Sequence, residues 1–358
     1  YAGGADTSGG DGSASKPYRS LAKVMQKVKA GDTIWLDAGT FGSDTWEMIS
    51  ATETAAVNLD TDNLTLIGKD SGATVIDPAG ASTLLNLYGV YASNRSGLVI
   101  KNLGVTGASD GIYFAPVDNS TISGDSVGAC GNFGIVFTSS SSDTNTVINS
   151  ITSNNGTRGI DIQGGTNNTF DNNIANSNLG IGMRFSGNVS GFVVKNNTVN
   201  SNSTYGIYLS APSNSMTVHN NSLSGNKDGI GLSSASKHVF RNNLVASSTA
   251  SAFYLTNSDT NTIYQNEIRG GDTGVRFEGS SRNNLISRNN IVGGAVNRVF
   301  NPAGIAQTLT RNWFGATDSD AIKAKITDTA SDWDPWRLAQ ADTAAGADTT
   351  APKAPDTV

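Results

Sequence analysis

The chain has little of several residue types, and each shortage argues against a class of protein. Of its 358 residues, one is cysteine and two are histidine, so we expect neither an internal disulfide framework nor a histidine-based metal site. No apolar run approaches the ~18 residues of a membrane-spanning helix, which predicts no membrane span. Only 15% of the residues are charged and the net charge is −6, so we expect no general nucleic-acid-binding surface.

What the chain has in abundance is asparagine at a regular interval. One column of asparagines recurs about every 23 residues, which is typical of one coil of a solenoid. Asn tolerates the left-handed backbone of a tight corner, and its amide can bond the Asn of the coils on either side. We therefore predict a buried internal ladder formed by Asn102, Asn149, Asn172, Asn196, Asn220, Asn242, Asn266, Asn289 and Asn312, with Asp125 in the one gap.

A second column, in phase with the first, repeats the pattern Gly-Ile-x-apolar, as in Gly111–Phe114, Gly134–Phe137, Gly159–Ile162 and Gly180–Met183. Apolar residues two apart have the period of a β-strand, and further short apolar strands precede and follow the asparagines. Three short strands and three corners per repeat predict an all-β fold, a right-handed parallel β-helix of about eleven coils. The 41 glycines suit its corners.

The two ends of the chain depart from the repeat. Apolar residues at helical spacing predict a capping α-helix over 17–30, which would cover one open end of the core. Residues 316–337 are interpreted as a C-terminal cap, so the β-helix is expected to be a single domain over 1–340. Residues 341–358 are rich in Ala, Thr, Asp and Pro, which indicates a linker to a covalently attached downstream domain.

The N-terminal region carries a family resemblance. A Gly-rich lead, Pro17-Tyr18, the amphipathic segment, Gly31-Asp32-Thr33-Ile34 and Gly39-Thr40-Phe41 resemble the start of secreted pectate-lyase-like β-helix proteins. That superfamily includes polysaccharide lyases, mannuronan C5-epimerases and carbohydrate-binding proteins, and the resemblance covers about residues 1–340. It implies a secreted or cell-surface bacterial protein whose partner is a polysaccharide. It also makes Ca²⁺ a candidate cofactor, although the residues themselves firmly imply none.

In the resembling enzymes, the outer face of the Gly-Ile-x-apolar strand carries the substrate groove. Here the middle coils place aromatic and charged residues on that face. Tyr rings offer an apolar surface to a pyranose, and Arg binds a uronate carboxylate through two parallel hydrogen bonds. The candidate catalytic residues are Arg158, Asp161, Arg184 and Tyr208. The candidate substrate-binding residues are Tyr113, Gln163, Tyr205, Asp228, Tyr254, Arg276 and Glu278. The alternative is that they are ordinary solvent-facing polar residues.

Three reactions can be compared on these residues. The epimerases carry Tyr-Gly-Phe-Asp-Pro-His on this strand. Of the Tyr, Asp and His in that motif, the matching stretch from Arg158 to Gln163 keeps only the acid, Asp161. The epimerases carry a second acid one coil later, where this chain has Arg184. A glycosidase needs two carboxyl groups about 5–10 Å apart, whereas Asp161 and Asp228 are expected to lie three coils, ~14 Å, apart. A uronate lyase needs only a base and a group that neutralises the carboxylate.

We therefore favour β-elimination on an acidic polysaccharide, with Arg184 or Tyr208 as base and Arg158 at the uronate carboxylate. Epimerase and glycoside hydrolase activities are the less favoured choices. The alternative function is a non-catalytic glycan-binding or spacer module of a multidomain surface protein, so whether the chain is an enzyme stays open. Other places for the site would be near Trp46 and Tyr88–Arg95, or on a cationic stripe of Lys101, Lys195, His219, Arg241, Arg288 and Arg311, for which we favour a solubilising role.

Overall fold

The computed structural model describes residues 10–18, 20–42, 47–78, 86–327, 331 and 336 of the chain. Its contacts group the chain into two compact units, residues 1–193 and 194–358, which are described in turn. Each coil contributes one strand to each of three parallel sheets, here called A, B and C. Trp46, Trp333 and the expected linker at 341–358 lie outside the described residues.

In the first unit, neighbouring strands of each sheet come from successive coils. Sheet A contains Glu47–Ser50, Glu53–Asn58, Asn86–Ala92, Asp110–Phe114, Phe133–Thr138, Arg158–Gln163 and Ile181–Phe185, and only its first pair is antiparallel. Sheet B contains Thr33–Leu36, Thr65–Gly68, Val99–Lys101, Thr121–Ser123, Thr146–Ile148 and Thr169–Asp171. Sheet C contains Gly39–Phe41, Thr74–Ile76, Gly104–Val105, Ser126–Gly128 and Ile151–Ser153. Short strands occur at Arg95–Ser96, Val117–Asp118, Gly165–Thr166 and Val189–Ser190.

The second unit repeats the arrangement, and its sheets take the same letters. Sheet A contains Tyr205–Ser210, Asp228–Ser233, Ser251–Thr256, Thr273–Glu278, Asn297–Phe300 and Ile326–Thr327. Sheet B contains Thr217–His219, Val239–Arg241, Thr262–Tyr264 and Leu285–Ser287, and sheet C contains Thr198–Asn200, Ser222–Ser224, Leu244–Ala246, Glu267–Arg269 and Asn290–Ile291. Val193–Lys195 lies at the division between the units, and Ser213–Asn214 is a further short strand.

The strand period decides which side chains form the core. In Asp110–Phe114, Ile112 and Phe114 are fully buried while Tyr113 between them points outward and is half-buried. Equivalent inward residues stack from coil to coil, as Phe114 does on Phe137 with ring centroids 5.3 Å apart. The predicted all-β parallel β-helix is confirmed.

The asparagine ladder exists, but its predicted register is wrong by one residue over most of its length. Asn102, Asn149, Asn172, Asn196, Asn220 and Asn242 are not the rungs: they occupy the left-handed corner, with φ of 52–58°, and are half-buried or exposed. Five buried rungs follow one of these corner asparagines by one residue: Ser150, Asn173, Asn197, Asn221 and Asn243. Asp125, Asn266, Asn289 and Asn312 are buried rungs as predicted. The predicted column mixes corner and rung positions. In the earlier coils its Asn is the corner residue, whereas in the later coils Gln265, Arg288 and Arg311 occupy the corner and the Asn after each is the rung.

Each rung bonds to the next coil. Asn221 accepts from the backbone N–H of Asn197 at 2.9 Å and donates from its own amide to the Val194 carbonyl and to Asn243. Two further ladders, which the sequence reading missed, satisfy the other two corners in the same way. They contain Asn145, Asn168, Asn261 and Asn284 before sheet B, and Asn155, Asn178, Asn202 and Asn226 before sheet A. Backbone groups that the corners would leave unpaired are thereby bonded.

The ends are closed by short helices. An α-helix occupies Leu21–Met25, shorter than the predicted 17–30, and Ser20 caps it by accepting a hydrogen bond from the N–H of Lys23. Leu21 is the one fully buried residue of this helix, so tertiary contact supports little beyond its first turn. A second helix, Ser319–Lys323, buries Ile322. Among the described residues, no helix is long and apolar enough to cross a bilayer.

Candidate functional site

The outer face of sheet A in the first unit carries a row of side chains from five adjacent strands. The parallel register places Tyr91, Tyr113, Val136, Asp161 and Arg184 side by side in that order. All five point outward because they alternate with inward core residues, such as Ile160 and Ile162 on either side of Asp161. Three predicted site residues, Tyr113, Asp161 and Arg184, therefore lie on one row.

Arg184 takes a different position from the one that the repeat predicts. Aligning Gly180–Met183 with Gly159–Ile162 would place Gly182 beside Asp161 and leave a gap there. The strand is instead shifted by two residues, so that Ile160 pairs with Met183 and Asp161 with Arg184. Gly182 takes the place of Gly159, and Arg184 lies directly next to Asp161.

Asp161 is the centre of a charged cluster. Its side chain is fully buried, and its Oδ2 accepts hydrogen bonds from Arg158 Nη1 at 3.1 Å and from Gln163 Nε2 at 2.8 Å. Its Oδ1 lies 3.5 Å from Arg184 Nη1. The Arg158 guanidinium also covers the ring of Phe133, with 4.9 Å between its Cζ and the ring centroid. Thus Arg158, Asp161, Gln163 and Arg184 form one group, here called the Asp161 cluster.

The electrostatics of the Asp161 cluster favour an anionic ligand. Two guanidinium groups share one carboxylate, which leaves one excess positive charge. The Arg158 and Arg184 side chains remain 21% and 24% exposed, so their outer N–H groups are accessible. Burial lowers the pKa of Arg158, while the charge of Asp161 opposes that shift and the charge of Arg184 adds to it. The two cations are fixed in place by a carboxylate that solvent does not reach.

Three tyrosines form an aromatic cluster on the same face. The rings of Tyr88, Tyr91 and Tyr113 have centroids 4.4–5.8 Å apart. Tyr88 donates to Glu53 at 2.8 Å, and burial raises its pKa above the ordinary range. Tyr88 and Tyr91, which were predicted as part of another possible location for the site, lie on Asn86–Ala92, a strand of sheet A. Their pairing with Asp110 and Tyr113 would have followed from extending the repeat one coil towards the N-terminus.

A buried acid lies beside this aromatic cluster. Asp110 is 6% exposed and accepts a hydrogen bond from the backbone N–H of Phe133. Burial raises the pKa of Asp110 to about 6, and the charge of Asp161 adds to the rise. Asp110 was not among the predicted site residues.

The second unit carries the remaining predicted residues on its own sheet A. Tyr205 and Tyr208 stack with centroids 4.6 Å apart, and their rings lie over Gly231, where a Cβ atom would be only 2.5 Å from the Tyr205 ring. Asp228 is 8% exposed and accepts from the Ser251 N–H. Burial raises the pKa of Asp228, and burial together with the Asp228 charge raises the pKa of Tyr205 to about 12.

Tyr254, Arg276 and Glu278 form a second group in this unit, here called the Glu278 cluster. Tyr254 Oη donates to Glu278 Oε2 at 2.6 Å, and Arg276 Nε donates to Oε1 at 2.8 Å. The Arg276 guanidinium also lies over the rings of Tyr254 and Phe300. The hydrogen bond from Tyr254 is the main cause that lowers the pKa of Glu278, and burial raises the pKa of Tyr254 to about 12.

The cationic stripe does not form one column. Lys101 aligns with Ser123 and Ile148 on sheet B, whereas Arg288 and Arg311 occupy the left-handed corner one residue further on. Across the part of the chain that the structure describes, no three His, Cys, Asp or Glu side chains come together as they would around a metal ion. Hence the groups with accessible chemistry are the Asp161 cluster, the tyrosines and the Glu278 cluster.

Comparison with known proteins agrees with this architecture. Residues 69–223 match the family model for the right handed beta helix region, and residues 179–334 match that of the periplasmic copper-binding protein NosD. Comparison with curated proteins gives no match.

Solved structures give the same result for the fold. The A-module of Azotobacter vinelandii mannuronan C-5 epimerase AlgE4 is 18% identical with a TM-score of 0.65, covering 87% of this chain and 90% of that one. An alginate lyase from Paenibacillus sp. FPU-7 is 18% identical with a TM-score of 0.52, covering 78% and 94%. Pectate lyase Pel9A is 17% identical with a TM-score of 0.50, covering 95% and 79%. The chain therefore has the fold of a right-handed parallel β-helix.

Proposed function

We propose that the protein acts on an acidic polysaccharide and binds it on the outer face of sheet A. The observation that carries this proposal is the Asp161 cluster, in which a buried carboxylate holds two partly exposed guanidinium groups side by side. A fixed pair of cations suits a uronate carboxylate, because little conformational entropy is lost when it binds. Similar solved structures include an alginate lyase and a pectate lyase, which supports this class of ligand.

The tyrosine cluster supplies the second requirement of a sugar site. Tyr91 and Tyr113 are half-buried with nearly parallel rings, so part of each aromatic surface faces outward. A pyranose presents an apolar C–H face that stacks on such rings, while hydroxyl groups at the rim accept and donate hydrogen bonds. In the second unit, Tyr205, Tyr208 and Tyr254 offer the same chemistry, and Asp228, Arg276 and Glu278 offer polar contacts.

Within this proposal, the favoured activity is β-elimination. Arg158 would neutralise the uronate carboxylate and so make the adjacent C–H more acidic, and Arg184 would accept the proton after its guanidinium has released its own proton to solvent. The electron pair of the broken C–H bond forms a C=C bond in the new terminal uronate, the C–O bond to the leaving sugar breaks, and the leaving oxygen takes a proton from solvent. The raised pKa values of Tyr205 and Tyr254 make those two tyrosines poor bases near neutral pH.

A non-catalytic glycan-binding module is the second candidate, and a specific observation favours it. Arg158 and Gln163 occupy one oxygen of Asp161 and Arg184 faces the other, so the one acid of the cluster is already committed to holding cations. Such a carboxylate positions other groups and is not poised to take a proton from a substrate.

An absorbance assay at ~235 nm, where unsaturated uronates absorb, separates the two candidates when it is combined with binding. We would test alginate, pectate and glycosaminoglycans with the wild type, Arg184→Ala and, as a matched control, Arg282→Ala, whose ion pair with Asp259 is exposed. For a lyase, Arg184→Ala should abolish product formation and keep much of the binding, because the lost interaction acts mainly in the transition state.

For a binding module, Arg184→Ala should weaken binding, and no protein should give product. Arg282→Ala should resemble the wild type in either case. If neither Arg184→Ala nor Asp161→Asn changes binding or activity while both remain folded, the proposed site on sheet A is wrong.

Metal ions need separate consideration. The NosD family is described as copper-binding, and copper in proteins is held by His, Cys and Met. In the matched range, the buried ring of His238 is already bonded to Ser213 Oγ and the Met216 N–H, and His219 is not part of any metal-type group among the described residues. These residues do not fit a copper site. We propose that binding needs no cofactor, which repeating the assay with added Ca²⁺ and with chelator tests.

The cellular site is also a proposal. The resemblance to secreted β-helix proteins and the match to a periplasmic family support a location outside the cytoplasm, and a polysaccharide substrate is consistent with a secreted or surface protein. Cell fractionation with an antibody to the chain tests this, and recovery only with cytoplasmic markers would contradict it.

A further inference from the structure

A second candidate binding region lies away from sheet A, beside the first coils of sheet B. Here a groove of about 1020 Å³ runs between the outer face of sheet B and the segment that precedes and includes the N-terminal helix. We call it the Trp35 groove, after the exposed residue on its floor. Its volume is at the upper end of the range for small-ligand sites.

The floor of the Trp35 groove is a row of three residues from adjacent coils. The parallel register places Trp35 beside Ile67, and Ile67 beside Lys101. Strands in a sheet are ~4.8 Å apart, so the row joins an aromatic ring, an aliphatic surface and an ammonium group within about 10 Å. Trp35 is 67% exposed although it is the largest side chain on this face. Trp35 therefore offers an apolar ring surface to a ligand in the groove.

The walls are formed by chain elements with a defined structure. The loop 11–16 is closed by backbone hydrogen bonds from Asp11 and Gly12 to Lys16. Tyr18 lies against Gly12, where an added Cβ atom would be 2.9 Å from the tyrosine ring. Because Gly12 also has a φ of +85°, it suits this close approach better than other residues.

The charged residues that line the groove are Lys27, Lys69, Lys101, Asp32 and Asp37, which leaves one excess positive charge. Lys69 lies 3.8 Å from Asp37 in an exposed ion pair, and Asp32 accepts a hydrogen bond from the backbone N–H of Lys29. Lys27 and Lys101 also line the groove, and neither forms an ion pair with another described residue. Both are exposed, so their ammonium groups are available to an anion.

We propose that the Trp35 groove binds a negatively charged saccharide. One sugar ring stacks on Trp35 and Ile67 through its C–H face, and its carboxylate or sulfate is bound by Lys101 and Lys27. Uronate-containing and sulfated saccharides both fit this groove, since both present an anionic group next to an apolar ring face. The proposal does not depend on the Asp161 cluster, which lies on another sheet and uses other residues.

Calorimetric titration of the 358-residue chain tests the proposal with three probes. These are an oligouronate, the same oligomer with its carboxylates reduced to neutral alcohols, and a sulfated oligosaccharide of similar length. Trp35→Ala should weaken binding of both charged probes about tenfold, and the Lys27→Ala/Lys101→Ala double variant should do the same. The neutral probe should bind the wild type about tenfold more weakly than the oligouronate.

Two variants serve as matched controls. Leu179→Ala removes an exposed apolar side chain, and Lys323→Ala removes an exposed cation, both away from the groove. Neither should change affinity. Each titration is repeated in an Arg158→Ala/Arg184→Ala background, which removes both cations of the Asp161 cluster, so that loss of the site on sheet A and loss of the Trp35 groove are scored separately.

Several results would overturn the proposal. One is an unchanged affinity of Trp35→Ala, with normal thermal unfolding, for every probe in the Arg158→Ala/Arg184→Ala background. Equal binding of the neutral probe and the oligouronate would exclude an anionic ligand class. A wild type that sediments as a dimer, with Trp35→Ala monomeric and unaltered in sugar binding, would show that a second copy of the chain occupies the groove.

Discussion

The corners inside the coils and the outer face of sheet A are both polar, yet they are stabilised in different ways. At the corners, the same uncharged amide recurs and each rung is bonded by the next coil, as Asn221 is by Asn197 and Asn243. On the outer face, neighbouring coils carry different side chains, and their charges are satisfied inside small clusters such as that of Asp161.

The difference shows what each region is constrained by. A corner rung must bond backbone groups that recur identically in every coil, so the residue type recurs as well. An outward position meets solvent or a ligand, and nothing in the repeat dictates its identity. Breaking a rung should therefore cost stability wherever it is done, whereas breaking a cluster on the face should cost stability only in proportion to its burial.

The largest effect is expected from the paired variants Asn221→Ala and Asn220→Ala. Removing the Asn221 amide removes the acceptor of the Asn197 N–H and side-chain amide, and the donor to the Val194 carbonyl and to Asn243, whose Oδ1 keeps the N–H of residue 221. Each buried unpaired group costs about 1–3 kcal/mol, so the variant should lose about 3–5 kcal/mol in urea unfolding. Asn220→Ala should lose about 1 kcal/mol, because Ala tolerates its left-handed corner poorly.

Asn220→Gly is the control for the corner, and it should unfold at nearly the wild-type urea concentration since Gly adopts positive φ without strain. Equal losses in Asn220→Ala and Asn221→Ala would contradict the assignment of corner and rung.

This pair also marks the limit of prediction from sequence for the fold. Periodicity was enough for the parallel β-helix, because a repeat of about 23 residues with strand-period apolar positions has few other solutions. It could not separate position 220 from 221, because both are Asn and adjacent columns share the same period. Backbone φ distinguishes them: the corner needs a left-handed residue, whereas the rung needs an amide that points inward.

Asp125 is the exception among the rungs and should give the next largest effect. It replaces the usual amide with an acid that is 1% exposed, and its Oδ2 has no hydrogen-bond partner among the described residues. Burial raises its pKa to about 7 from the ordinary 3.8. Asp125→Asn should stabilise the protein by about 2–4 kcal/mol above pH 7, because the folded state no longer has to hold a buried carboxylate.

The pH dependence follows from the direction of that shift. Between about pH 4 and 7 the folded state binds a proton that the unfolded state has released, so wild-type stability falls as pH rises across this range. The advantage of Asp125→Asn should therefore be small below pH 4, grow up to pH 7 and then stay constant. Urea unfolding at several pH values measures the difference in unfolding free energy between Asp125→Asn and the wild type. The contributions of Asp110 and Asp228 cancel in this difference, because both proteins contain these residues. A constant advantage at all pH values would contradict the raised pKa.

On the outer face, Arg158→Ala should cost about 2 kcal/mol. It leaves the fully buried Asp161 carboxylate with Arg184 and Gln163 only, and it removes the contact of the guanidinium with Phe133. Arg282→Ala breaks the exposed pair with Asp259 and should cost less than about 0.5 kcal/mol. A loss of the same size in both variants would show that burial of Asp161 contributes nothing.

The Asp161 cluster also shows how far a site can be predicted from the repeat. Arg158, Asp161 and Gln163 were predictable as neighbours, since one strand with alternating side chains carries all three. The ion pair with Arg184 was not predictable, because the repeat aligns Gly182 with Asp161. The strand Ile181–Phe185 is shifted by two residues from that alignment, and the shift places Arg184 beside Asp161. Tyr88 and Tyr91 were predicted only as part of another possible location, because the repeat was not extended to Gly89-Val90-Tyr91-Ala92, although this stretch fits the pattern and is in register with Tyr113.

The smallest effect is expected at the Glu278 cluster, where Tyr254→Phe removes one hydroxyl and keeps the ring. Glu278 is 30% exposed and retains Arg276, so the loss should be below about 1 kcal/mol at pH 7. Because the bond to Tyr254 lowers the pKa of Glu278, its stabilisation is present above the ordinary pKa of 4.5 and disappears as pH falls through the folded value. The difference in stability between wild type and Tyr254→Phe should therefore vanish in acid.

In glycan binding, Tyr254→Phe should equal the wild type while Tyr254→Ala binds more weakly, since stacking needs the ring and not the hydroxyl. If both variants bind as the wild type does, the hydrogen bond to Glu278 is the whole role of Tyr254, and the predicted substrate contact there is wrong.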